Sequence, residues 1–156
     1  MTTTKPTKPT VTVSRTIGWR TRALGVCGAV LATALLWTAA RVLGVELRVD
    51  PRNGQPPGVI DLPFAAAVTF VVATLGWGVR ALLDRVTRRA AMIWTVLAGI
   101  VVLLSLVPVY GVGATTATRT VLTVAHLAVA AVLIPVFGIP VFGRPGVRPA
   151  SVRPPR

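Results

Sequence analysis

Arg80-Ala81-Leu82-Leu83-Asp84-Arg85-Val86-Thr87-Arg88-Arg89 is the stretch whose reading decides how this chain folds. It holds four arginines, and long apolar runs lie on both sides of it. A basic joint between two runs that can each cross a bilayer marks the cytoplasmic side of a helical hairpin. Arg80, Arg85, Arg88 and Arg89 are therefore read as topology determinants that fix which way every other segment faces.

The bulk composition agrees. The chain has 156 residues, enough for one domain. Hydrophobic residues make up 53% and the mean hydropathy is +0.73, too apolar for an ordinary soluble domain of this size. Seventeen Lys and Arg stand against four Asp and Glu, a net charge of +13. Such a charge suggests nucleic acid when basic residues cluster on a soluble face. Here they sit at the ends of apolar runs and in the two tails, so no nucleic-acid partner is expected. One Cys and one His allow neither an intrachain disulfide nor a zinc ligand set.

Downstream of the joint, residues 90–118 carry no charge, and residues 120–143 carry none either. They supply two spans, residues 90–110 and 116–137, separated by the tight turn Gly111-Val112-Gly113. Trp94 and Tyr110 suit the two interfaces of the first of these, and Pro108 and Pro135 fall in last turns, where a break is easily accommodated. Upstream, residues 62–82 form a span with Pro63 in its first turn, where a missing N–H costs nothing. If that helix continues into the joint, Asp84 and Arg88 lie four apart and pair. Residues 23–45 form the first span. Its uncharged residues 23–40 measure about 27 Å as a helix, close to a hydrocarbon core of roughly 30 Å. Arg41 then snorkels outward from the far end. Cleavage after Thr38-Ala39-Ala40 is the rival interpretation. The run is longer than the roughly 7–15 residues of a signal, and Trp37 sits awkwardly at the site, so a span is preferred.

Residues 46–62 are the longest polar connection and carry Glu46, Asp50 and Asp61. Turn signals at residues 50–54 and 56–58 are flanked by residues 47–49 and 59–60, the arms of a short hairpin in this first outer loop. Calcium is not expected: the spacing fits no calcium loop, and Arg48 and Arg52 lie among the acids. Residues 1–22 and 139–156 read as disordered basic tails, rich in Thr, Lys, Pro and Arg. The second begins within a duplication, Ile134-Pro135-Val136-Phe137-Gly138 followed by Ile139-Pro140-Val141-Phe142-Gly143. Its Arg/Pro end suits an anchor on anionic lipid better than a proline-motif ligand.

Thirteen of the 17 basic residues fall in the two tails and the joint, and only Arg41, Arg48, Arg52 and Arg119 fall opposite. The positive-inside rule then puts both termini in the cytoplasm, as an even number of spans requires. The expected fold is an all-α membrane protein, with four transmembrane helices in an antiparallel bundle over residues 23–138. Small residues at helical spacing mark its packing faces: Gly25 with Ala29, Gly28 with Ala32, Thr69 with Ala73, and Ala125 with Ala128.

From residue 43 to residue 137 the order of features resembles a family of small four-span bacterial membrane proteins of unknown function. The matching pieces are Gln55-Pro56-Pro57, Leu75-Gly76-Trp77-Gly78, residues 84–89 leading to Ile93-Trp94-Thr95, and residues 125–135, which begin Ala125-His126-Leu127. The resemblance implies the four-span fold and a multi-pass place in a bacterial plasma membrane. It implies no activity.

No catalytic set, cofactor site or metal site is expected. The spans hold no carboxylate at depth, which argues against a small proton-coupled exporter, and there is no phosphate loop and no paired acids. The expectation is a non-enzymatic integral membrane protein that acts through helix or partner contacts. Its partners would be the bilayer, including anionic lipids, and a membrane protein or second copy of itself. The alternative is a small-solute transporter or channel with His126 lining a polar path. His126 lies ten residues into the fourth span, about 15 Å down, and is the candidate intramembrane polar site. An imidazole needs partners there, and Thr33, Thr38, Thr69, Thr74, Ser105 or the Leu122 carbonyl one turn back are the available ones. An interhelical bond that fixes helix register is the expected role.

Overall fold

The computed structural model describes residues 16–138. They form four helices in an antiparallel bundle: α1 Thr16–Val42, α2 Leu62–Val86, α3 Ala90–Gly111 and α4 Thr116–Gly138. All four are long and apolar enough to cross a membrane. A two-stranded hairpin, β1 Arg48–Val49 and β2 Gly58–Val59, lies between α1 and α2.

The boundaries follow from local chemistry. α1 begins at Thr16, so Arg20 and Arg22, expected in a disordered tail, are helical instead. Arginine is a good helix former, and Arg22 gains a partly buried carboxylate partner by joining the helix. The remainder of both tails lies outside the described residues. α1 stops at Val42 although the apolar run continues to residue 45. Gly44 takes φ 73, which a side chain would strain. The Val45 amide donates to the Ala40 carbonyl at 2.9 Å and the Gly44 amide to Arg41 at 3.1 Å, the two bonds of a Schellman cap. At the start of α2, the Asp61 carboxylate accepts from the Phe64 amide at 2.8 Å, and Pro63 occupies the first turn. The joint is largely helical: α2 runs to Val86, and only residues 87–89 turn the chain into α3.

α1 packs against α2 and α4, α3 packs mainly on α4, and α2 touches α3 and α4 more lightly. The central cluster takes Val26 and Ala29 from α1, Ala73 from α2, Trp94 and Ala98 from α3, and Leu133 and Phe137 from α4. Lipid gives helices no hydrophobic reason to associate, so close fit must hold them together. The fit is tightest at Gly25, where an added Cβ would stand 2.7 Å from Val136 Cγ1. At Gly28 the same atom would find Val132 Cγ1 at 3.5 Å, an ordinary contact. Gly25, Ala29 and Ala73 thus serve as close-packing residues. Thr69 bonds Thr33 of α1 through the two hydroxyls, 3.0 Å apart. Ala125 and Ala128 are only half-buried, and Ala130 is the buried alanine of α4.

The hairpin sits one residue from the expected arms, with Arg48 opposite Val59 and Val49 opposite Gly58. It is also stitched to the α3–α4 turn. The Asp50 amide donates to the Gly113 carbonyl at 2.7 Å and the Gly113 amide to the Asp50 carbonyl at 2.8 Å. Thr118 is fully buried beside this bridge and donates its hydroxyl to the Glu46 carbonyl at 2.9 Å. Trp37 adds a bond from its indole N–H to the Ile60 carbonyl at 3.1 Å. Both connections at this end of the bundle therefore form one unit.

Gly25→Ile should overpack the α1–α4 seam and destabilise the detergent-solubilised bundle by roughly 1–3 kcal/mol. Gly28→Ala should leave stability nearly unchanged. Thermal unfolding of the two variants beside the parent measures both.

Candidate functional site

The densest polar construction in the bundle stands at the end opposite the hairpin. Arg80 and Asp84 are one helical turn apart on α2, which puts them on one face. Arg80 Nη1 donates to Asp84 Oδ1, and Arg22 Nη2 of α1 donates to Asp84 Oδ2. One carboxylate thus bridges two guanidiniums. Arg80 is 1% exposed, and the side chains of Arg22 and Asp84 are 11% and 17% exposed.

Arg80 makes one further bond. Its Nε donates to the carbonyl oxygen of Phe137, in the last turn of α4. Carbonyls at a helix end lack intrahelical donors and carry partial negative charge, so a cation there both caps and neutralises. Phe137 in turn tilts its ring against Trp94 of α3, centroids 5.4 Å apart at 57°. Trp94 also covers Gly76 of α2, where an added Cβ would lie 3.0 Å from the indole. The cluster and its neighbours therefore touch all four helices.

The expected Asp84–Arg88 pair does not form. α2 ends at Val86, so Arg88 lies off the helical register, and Asp84 pairs one turn back with Arg80 and across with Arg22. The four arginines of the joint divide. Arg80 is buried in the cluster, whereas Arg85, Arg88 and Arg89 are exposed, as is Arg20 of α1. The sequence carried the Arg80–Asp84 spacing as a signal. It carried none for Arg22, which lies 62 residues from Asp84, or for a backbone acceptor at Phe137.

His126 is half-buried in α4. Its Nδ1 lies 2.7 Å from the Leu122 carbonyl, to which it donates. Of the partners considered, the one within its own helix is used, so the expected interhelical bond is absent among the described residues. The hydroxyls that would have served are engaged: Thr33 with Thr69, Thr38 with the Ala34 carbonyl, Thr74 with Phe70 and Ser105 with Val102. A hydroxyl pair between α1 and α2, Thr33 with Thr69, makes an interhelical polar contact without the histidine.

Chemically, the cluster is a clamp. Guanidiniums donate only, and both carboxylate oxygens of Asp84 accept from them. Among the described residues no group of three His, Cys, Asp or Glu is placed to hold a metal ion.

Two outcomes follow from this geometry. Asp84→Asn leaves two buried cations without their anion and should cost roughly 3–5 kcal/mol in detergent unfolding, whereas Arg88→Gln should cost almost nothing. His126→Leu removes only a bond within one helix turn. It should lower stability by no more than about 1 kcal/mol in the same assay.

No curated protein and no solved structure matches the chain. A family model does, over residues 13–140, which takes in α1 as well as the stretch from residue 43 that carried the resemblance. Its four helices, long and apolar enough to cross a membrane and packed as one bundle, give the chain the build of a multi-pass membrane protein, and it belongs to the family of unknown function DUF6069.

Proposed function

We propose that this protein is a non-enzymatic component of a bacterial plasma membrane, with both termini in the cytoplasm, that works through contacts of its helices with lipid and with a membrane partner or second copy. The observation that carries the proposal is the way polarity is spent. The charged groups turned into the bundle at the Arg80 end, Arg22, Arg80 and Asp84, are consumed in holding α1, α2 and α4 together. What remains open is apolar surface, most of all on α2. Only 6% of its most apolar window is buried, and Phe64, Phe70, Val71, Leu75 and Leu82 stand exposed along it.

Arg20, Arg85, Arg88 and Arg89 are exposed at the same end of the bundle. With the basic residues of both termini they favour a cytoplasmic face and contact with anionic lipid. The transport alternative rests on His126, whose one bond within α4 is a local one.

Fusions and cross-linking test this. Phosphatase joined at Gly54 should be active, and phosphatase joined at Arg85 or after the last residue should be silent; the reverse pattern overturns the orientation. For the contact role, Leu75→Cys in a Cys27→Ser background should give a discrete higher-mass adduct with a bismaleimide in native membranes. Monomer alone would mean that this face of α2 meets only lipid.

A further inference from the structure

At the hairpin end, α3 and α4 leave an open cleft of about 410 Å³. It is lined by Tyr110 of α3 and by Thr116, Arg119, Thr120, Thr123 and Val124 of α4. The α4 residues follow i, i+3, i+4, i+7, i+8 spacing, so they form one face of the helix. Five of the six side chains carry hydrogen-bond donors.

Arg119 is the decisive member. Its Nη2 donates to the Val112 carbonyl at 3.1 Å, which fixes the guanidinium in place. Its Nε is buried and has no hydrogen-bond partner. Both ion pairs among the described residues belong to Asp84 at the other end, so no carboxylate neutralises Arg119. The acids nearer to it are committed or open to solvent. Asp61 caps α2, Asp50 accepts from the Arg52 amide, and Glu46 is exposed. The first turn of α4 holds no acid. The tyrosine and Thr123 hydroxyls, 3.5 Å apart, complete a set of donors around an uncompensated cation. The same helix face continues into exposed Val124 and Leu127, so the polar cleft opens directly onto apolar surface.

We propose that this cleft binds a phosphate-class oxyanion, with Arg119 as its principal ligand and the hydroxyls of Tyr110 and Thr123 as further donors. A tetrahedral oxyanion offers several acceptors and a negative charge, the complement of this wall. A lipid headgroup and free phosphate share that chemistry, and a lipid would lay its chain along Val124 and Leu127.

The full chain in an uncharged maltoside detergent tests the site. It is titrated with inorganic phosphate against chloride at matched ionic strength, and separately with short-chain phosphatidylglycerol against the diacylglycerol that lacks the phosphate. Thermal stabilisation is the readout. Stabilisation by the lipid alone assigns a headgroup, and by phosphate alone a free anion; either supports the site. Arg119→Gln should weaken binding at least about tenfold, Arg119→Lys less, and Arg88→Gln at the opposite end not at all. If Arg119→Gln fails to fold, Thr123→Val decides, because it removes a donor and leaves the Val112 contact intact. Absence of binding by both probes overturns the proposal. So does binding that survives both Arg119→Gln and Thr123→Val.

Discussion

Asp84 accepts from Arg22 on one oxygen and from Arg80 on the other, and Arg80 reaches on to the Phe137 carbonyl. A charge taken out of water is tolerable only when it is paired and its remaining hydrogen-bonding positions are used. Here the requirement runs across three helices, so none of them can rotate or slide without stranding a charge. Apolar surface cannot impose such a constraint inside a bilayer, because one lipid-like face is as good as another. The polar cluster supplies registration, and the close contacts around Gly25, Ala29 and Ala73 supply attraction.

The two ends of the bundle solve the same problem with different means. At the Arg80 end, side-chain charges converge on a carboxylate and a helix terminus. At the hairpin end the bonds are largely neutral and involve the backbone: Asp50 with Gly113, Thr118 with the Glu46 carbonyl, Trp37 with the Ile60 carbonyl. Backbone bridges need no compensating ion, which leaves Arg119 free of an internal acid.

The four helices were legible because their evidence is local. Uncharged runs of spanning length, Pro63 in a first turn, and the Gly111-Val112-Gly113 turn all act within a few residues. Helix ends that depend on side-chain partners were less legible. The first helix reaches back to Thr16 because Arg22 has a carboxylate waiting on another helix, and no window of sequence contains both. The Arg80 joint was recognised as a charged joint, but its arginines looked alike. Only three-dimensional packing separates Arg80, which is buried, from Arg85, Arg88 and Arg89, which are not. His126 was the natural suspect as the sole histidine in a span, yet its nearest acceptor lies one turn back on its own helix. The donors of the cleft were visible singly. Their assembly on one face of α4, opposite Tyr110, emerges only when two helices are placed side by side.

The bond from Arg80 to Phe137 also has a meaning in time. Spans enter the bilayer in the order of their synthesis, so Arg22 waits for Asp84, and Arg80 waits longer still, until nearly the last residue of α4 has emerged. Until then the second helix holds an arginine with a donor aimed at nothing. A chain cut short before residue 137 would carry that open donor permanently. The contact thus distinguishes the finished bundle from every unfinished one, because only a chain that reaches the end of α4 supplies the carbonyl that closes over Arg80.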